Sequence, residues 1–149
     1  MKKKSIWLSV LLLFLLISAC GKERTIDCDA LARDLYTQIA FEDELSEIEP
    51  DMAKKLYGIQ DAVHMSVYIS SGATAEEIAV FELPDHPAAK HAQELVEKRI
   101  ASQKASFERY IPREVERLNH AVVRSEGNYV VLCVSSDDRV TEVLQKYLE

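Results

Sequence analysis

Residues 129–134 read Tyr129-Val130-Val131-Leu132-Cys133-Val134, an unbroken apolar run entered through Gly127-Asn128. A strand with one wet face alternates apolar and polar side chains. A run that is apolar at every position needs cover on both faces, which marks a central strand. Ser125-Glu126-Gly127-Asn128 is a turn signal, and the run before it, residues 121–124, supplies the other arm of a hairpin.

Working outward, residues 62–70 alternate, with Val63, Met65, Val67 and Ile69 against His64, Ser66, Tyr68 and Ser70. A turn at 71–74 leads to a strand at 78–83, which puts Ile78 and Val80 on one side and Ala79, Phe81 and Leu83 on the other. This is a second hairpin. Asp27 or Asp29 caps a first helix that runs to about residue 40 and carries Leu31, Leu35 and Ile39 on one face. Pro50 suits a first helical position and Gly58 the position just past a helix end. Met52, Leu56 and Tyr57 are expected to face the core from that short helix. The acidic stretch 41–49 reads as a connection. Asp85 caps a long helix whose stripe is Ala92, Leu95, Val96, Ile100, Gln103, Phe107 and Tyr110, and Ile111-Pro112 ends it. Residues 112–119 add a short helix. Ser135 or Ser136 caps a last one, with stripe Val140, Val143, Leu144, Tyr147 and Leu148. The predicted fold is α+β, an antiparallel sheet of about four strands in two hairpins with helices mainly on one face, in the order ααββαββα.

The N-terminus has a different logic. Lys2, Lys3 and Lys4 precede a nearly continuous apolar stretch, residues 6–17, and small residues before Cys20. Basic, apolar and small segments in that order form a secretory signal. The run falls short of the ~20 apolar residues that span a bilayer. Ile17-Ser18-Ala19-Cys20 resembles a bacterial lipobox, in which a diacylglyceryl group joins the cysteine sulfur and cleavage precedes that cysteine. The division is therefore a lipoprotein signal at 1–19, a lipidated cysteine and short linker at 20–26, and one domain at 27–149. The expected address is the extracytoplasmic face of the cell membrane. Cys28 and Cys133 remain open to a disulfide in that compartment, with buried free thiols as the alternative.

The whole chain carries a formal charge of −7. Without residues 1–19 it holds 15 Lys and Arg against 25 Asp and Glu, near −10. Nucleic-acid binding depends on neutralising phosphates with basic side chains, so that class is excluded. Anionic headgroups also repel such a domain, which leaves the lipid as its hold on the membrane. The four histidines lack ligand spacing: His86 and His91 are five apart, His64 lies on a strand and His120 at a loop. There is no Gly-x-Ser-x-Gly, Ser-x-x-Lys or glycine-rich phosphate loop. No catalytic residue, metal or cofactor is assigned. Tyr68, Tyr110 and Tyr129 are candidates for a groove or for packing with a bonded hydroxyl.

Ala75-Glu76-Glu77-Ile78-Ala79-Val80-Phe81, residues 103–112 at the end of the long helix, and Gly127-Asn128-Tyr129-Val130-Val131 together resemble a family of small clostridial (Firmicutes) lipoproteins with a domain of unknown function, number 4358 in that series. The resemblance covers roughly residues 30–148. It implies a lipid-anchored exported domain and brings no activity or site residues. The expectation is a non-enzymatic domain that binds a protein or cell-wall partner. A small-ligand-binding lipoprotein serving a transporter and an envelope enzyme with dispersed catalytic residues are the alternatives. Two acyl chains hold far more firmly than one, at ~0.8 kcal/mol per buried methylene. Replacing Cys20→Ala should therefore release the protein from the membrane fraction or leave full-length precursor, read by fractionation and intact mass.

Overall fold

The computed structural model describes residues 25–148. The expected signal segment and Cys20 lie outside them. The elements are α1 (Cys28–Gln38), β1 (Ser46–Glu47), α2 (Pro50–Tyr57), β2 (His64–Ile69), β3 (Glu77–Glu82), α3 (His86–Phe107), α4 (Pro112–Asn119), β4 (Val122–Glu126), β5 (Tyr129–Val134) and α5 (Val140–Leu148). The strands form one antiparallel sheet in the order β1-β2-β3-β5-β4. No helix among the described residues is long and apolar enough to cross a membrane.

The α+β class and both hairpins agree with the sequence reading. β5 is buried at all six positions and pairs with β3 on one side and β4 on the other. The hairpin turn before it uses Gly127 at φ 54°, where a side chain would be strained. Asp27 and Asp85 cap α1 and α3, accepting from Ala30 N at 2.9 Å and Ala88 N at 2.8 Å. Gly58 ends α2 in the left-handed conformation.

Four features depart from expectation. The acidic connection contributes a fifth strand, β1, which pairs Ser46 and Glu47 with Ile69 and Tyr68. The helices cover both faces. One core layer joins α2, α3 and α4 to Phe81, Leu132 and Val134, and the other joins α1 and α5 to Ile78, Val80, Val131 and Cys133. This cover follows from the all-apolar central strand, whose two faces both require burial. In addition, α2 is rotated from the expected phase. Ala53 and Tyr57 are buried, whereas Met52 and Leu56 are 55% and 37% exposed. Tyr57 packs edge-on against Phe81 at 4.9 Å and donates to the buried carboxylate of Glu77, and those contacts set the rotation. Tyr110, expected on the α3 stripe, lies beyond the helix end and is 83% exposed.

Cys28 and Cys133 are free, buried thiols in the same core layer. Cys28 lies near Glu82 and Tyr129, at one end of the sheet, whereas Cys133 lies toward Glu76 and Asp137 at the other. Burial first, then neighbouring carboxylates, push both thiols from 9.0 to about 12. The unfolded thiols ionise near 9.0 and the folded ones near 12, so their contribution to stability is whole below pH 9.0 and declines as pH rises toward 12. At about pH 8 both should resist alkylation in the native protein and react together in urea. Mass spectrometry of the alkylated protein reads the outcome.

Candidate functional site

Glu76 and Glu77 are consecutive, and both are buried, at 2% and 1% exposure. Along an extended chain successive side chains point to opposite faces. Glu77 therefore meets α2 and α3, while Glu76 meets the chain that leaves α1.

Arg99 of α3 grips Glu77 with two bonds, Nε to Oε1 at 2.8 Å and Nη2 to Oε2 at 2.6 Å. Gln103 Nε2 adds a third at 3.1 Å, and the Tyr57 hydroxyl donates to Oε1. The guanidinium carbon also lies 5.0 Å from the centre of the Tyr57 ring. Burial and then the Glu77 carboxylate hold the Tyr57 phenol well above its usual range. Arg99 is raised as well: burial opposes its charge, but the bonds and charge of Glu77 outweigh it.

Glu76 accepts from the backbone N–H groups of Glu42 (2.9 and 3.0 Å) and Asp43 (2.9 Å) and from Thr74 Oγ1 (3.1 Å). Beside it lies Arg117 of α4, 5% exposed at its side chain. Arg117 Nη1 donates to Glu114 Oε2 at 2.6 Å, Nε donates to Ser136 Oγ at 3.1 Å, and Nη2 lies 2.7 Å from Glu42 Oε1. Burial works against this guanidinium too, yet the bond to Glu42 and the charges of Glu76 and Glu114 raise its pKa. Glu114 is fully buried and accepts from Ala75 N at 2.8 Å through the same Oε2. Its Oε1 receives no hydrogen bond. Arg113 Nε stands 3.3 Å from that oxygen, close enough for Coulomb attraction but off hydrogen-bond geometry.

These residues border a cleft of about 550 Å³ between α4 and the loop that enters α5. Glu42, Glu114, Glu116, Asp137 and Asp138 line it, against Arg113, Arg117 and His120. Asp137 is held well below the usual carboxylate range by its bonds to Arg139 and to Ala40 N. Ser135 Oγ donates to Ala40 O at 2.8 Å.

The structure distributes the other sequence candidates separately. His64 meets Asp29 at 3.0 Å, His86 meets Gly127 O at 3.1 Å and His91 lies 3.8 Å from Glu94; only His120, bonded to Glu116 O, borders the cleft. No group of three or more metal-binding side chains occurs among the described residues. Tyr129 is buried with its hydroxyl on Glu82 at 3.3 Å. Tyr68 stacks on Tyr36 at 5.4 Å, and its hydroxyl donates to Glu47. The buried carboxylates were missed because acidic residues abound in this chain. The available signal was Glu77 in phase with Ala79 and Phe81, an inward position occupied by a charge.

Breaking a buried pair strands the remaining charge at a cost of about 3–5 kcal/mol. Arg99→Ala should lower the unfolding free energy by about that much, and Arg99→Met with Glu77→Leu should recover most of it, read by urea denaturation.

A family model described as a domain of unknown function (DUF4358) matches residues 38–135, about two thirds of the chain, from the end of α1 to the serine that follows β5. No curated protein and no solved structure matches the chain. By that match, which takes in the whole sheet and most of the cleft, the chain belongs to the family of the domain of unknown function DUF4358.

Proposed function

We propose that this is a lipid-anchored extracytoplasmic domain that binds a protein or cell-envelope partner in the α4–α5 cleft and carries out no reaction of its own. The observation that carries the reading is where the cleft lies. The described chain enters beside Tyr129 and Glu82, with the Ile26 backbone near the Tyr129 hydroxyl. The cleft is lined by Ser135 and Ser136, just past the other end of β5. Six residues of strand, roughly 20 Å, separate the two ends. Ile26 lies six residues past Cys20, a reach of at most about 21 Å. A lipid on Cys20 would hold the entry end toward the bilayer and leave the cleft on the far side, open to a partner.

The chemistry supports binding over turnover. The buried carboxylates of Glu76 and Glu77 are each committed to several donors. The volume falls within the ~300–1,000 Å³ of small-molecule sites, but those are mostly apolar, whereas this lining is charged.

The test is a photo-crosslinking residue in place of Asp138, at the cleft, and in place of Asn128, at the entry end, in the anchored protein in its native host. Cross-links to an envelope component from position 138 and none from 128 are expected. The reading falls if the purified protein turns over an envelope substrate and cleft substitutions abolish that turnover.

A further inference from the structure

We propose that the cleft recognises a cationic nitrogen group, an ammonium or guanidinium, carried by a basic peptide segment or a free polyamine. The inference deepens the binding reading above and rests on it.

Acidic side chains alone would not carry it, because charged surface is ordinarily just solvated. The decisive feature is Glu114 Oε1, in a side chain with 0% exposure, which lines the cleft and has no hydrogen-bond donor. Buried acceptors without donors are rare. Its partner Oε2 already accepts from Ala75 N and Arg117 Nη1, so the vacancy belongs to Oε1 alone. Arg117 does not fill it: Nη1 donates to Oε2 of Glu114, and Nη2 and Nε are directed to Glu42 and Ser136.

Arg113 occupies the vacancy poorly. Its side chain is 67% exposed, its Nε stands 3.3 Å from Glu114 Oε1 without a hydrogen bond, and its Nη2 is 3.3 Å from Glu42 Oε2. An exposed guanidinium on a flexible stem gains little from such contacts. A ligand cation that displaces it can donate to Glu114 Oε1 and sit against Glu42, with Glu116 and Asp138 on the rim. Arg113 is thus a resident competitor, and this sets the expected signs. Removing it should tighten binding of a cation, because the site loses one positive charge and Glu114 Oε1 loses its neighbouring guanidinium.

The experiment is calorimetric titration of the full-length protein in detergent with a short lysine peptide and with spermine, and a serine peptide as control. Both cations should bind and the serine peptide should not. Arg113→Ala should tighten binding, and Glu42→Gln should weaken it, each by about threefold to fivefold. Both positions are exposed, and Arg117 keeps its pairing with Glu114 when Glu42 loses its charge. Tighter binding of the peptide would point to a protein segment, and tighter binding of spermine to a free polyamine. The proposal is overturned if neither cation binds, if Arg113→Ala fails to tighten binding, or if Glu94→Gln with Glu97→Gln on α3 weakens it as much as Glu42→Gln. Cross-linking from position 138 without binding of either cation would remove this inference and leave the partner reading standing.

Discussion

Two adjacent carboxylates, Glu76 and Glu77, hold the layers of this domain together. A buried charge is tolerated only when it is paired and hydrogen-bonded. Because the chain is extended there, the two must find partners on opposite faces. Glu77 draws Arg99 from α3 and Tyr57 from α2 onto one face. Glu76 draws the backbone at Glu42 and Asp43, just after α1, onto the other, within 3.8 Å of Arg117. Burial of β3 and β5 is nondirectional and favours many packings. The carboxylates narrow these to arrangements that bring an arginine and several donors to two particular points.

The same constraint shapes the cleft. Arg117 is spent on neutralising Glu114 and Glu42, with Glu76 nearby, and this leaves Arg113 as the more loosely held of the two arginines there. The cleft is consequently acidic at its rim and incompletely hydrogen-bonded at its floor. In its neighbour, the Glu77 cluster, both carboxylate oxygens of Glu77 accept hydrogen bonds from Arg99. Two clusters of similar composition thus differ in whether both oxygens of the buried carboxylate are hydrogen-bonded and in whether a cleft borders them.

Much of the fold was legible in the sequence. Caps at Asp27 and Asp85, Pro50 and Gly58 around α2, and the Gly127 turn act through neighbours a few residues away. β5 as a central strand followed from apolarity at six consecutive positions. The site was far less legible. Glu76, Glu77, Glu114, Arg99 and Arg117 look like ordinary surface residues in a chain with 25 acids and 18 bases. Their burial depends on partners such as the Glu114–Ala75 bond, 39 residues apart in sequence.

By itself, then, the sequence determined every element type but β1, the two hairpins, the acidic charge and the lipobox-like N-terminus, because each rests on local patterning or composition. Only the tertiary structure decided that helices cover both faces of the sheet, that α2 buries Ala53 beside Tyr57 and leaves Met52 and Leu56 exposed, and that Cys28 and Cys133 lie toward opposite ends of the sheet. It also decided which few of the many charges are buried and which border the cleft. The reason is physical: the free energy of a buried charge is set by groups brought within about 4 Å by folding, and those groups come from chain positions that no local pattern links.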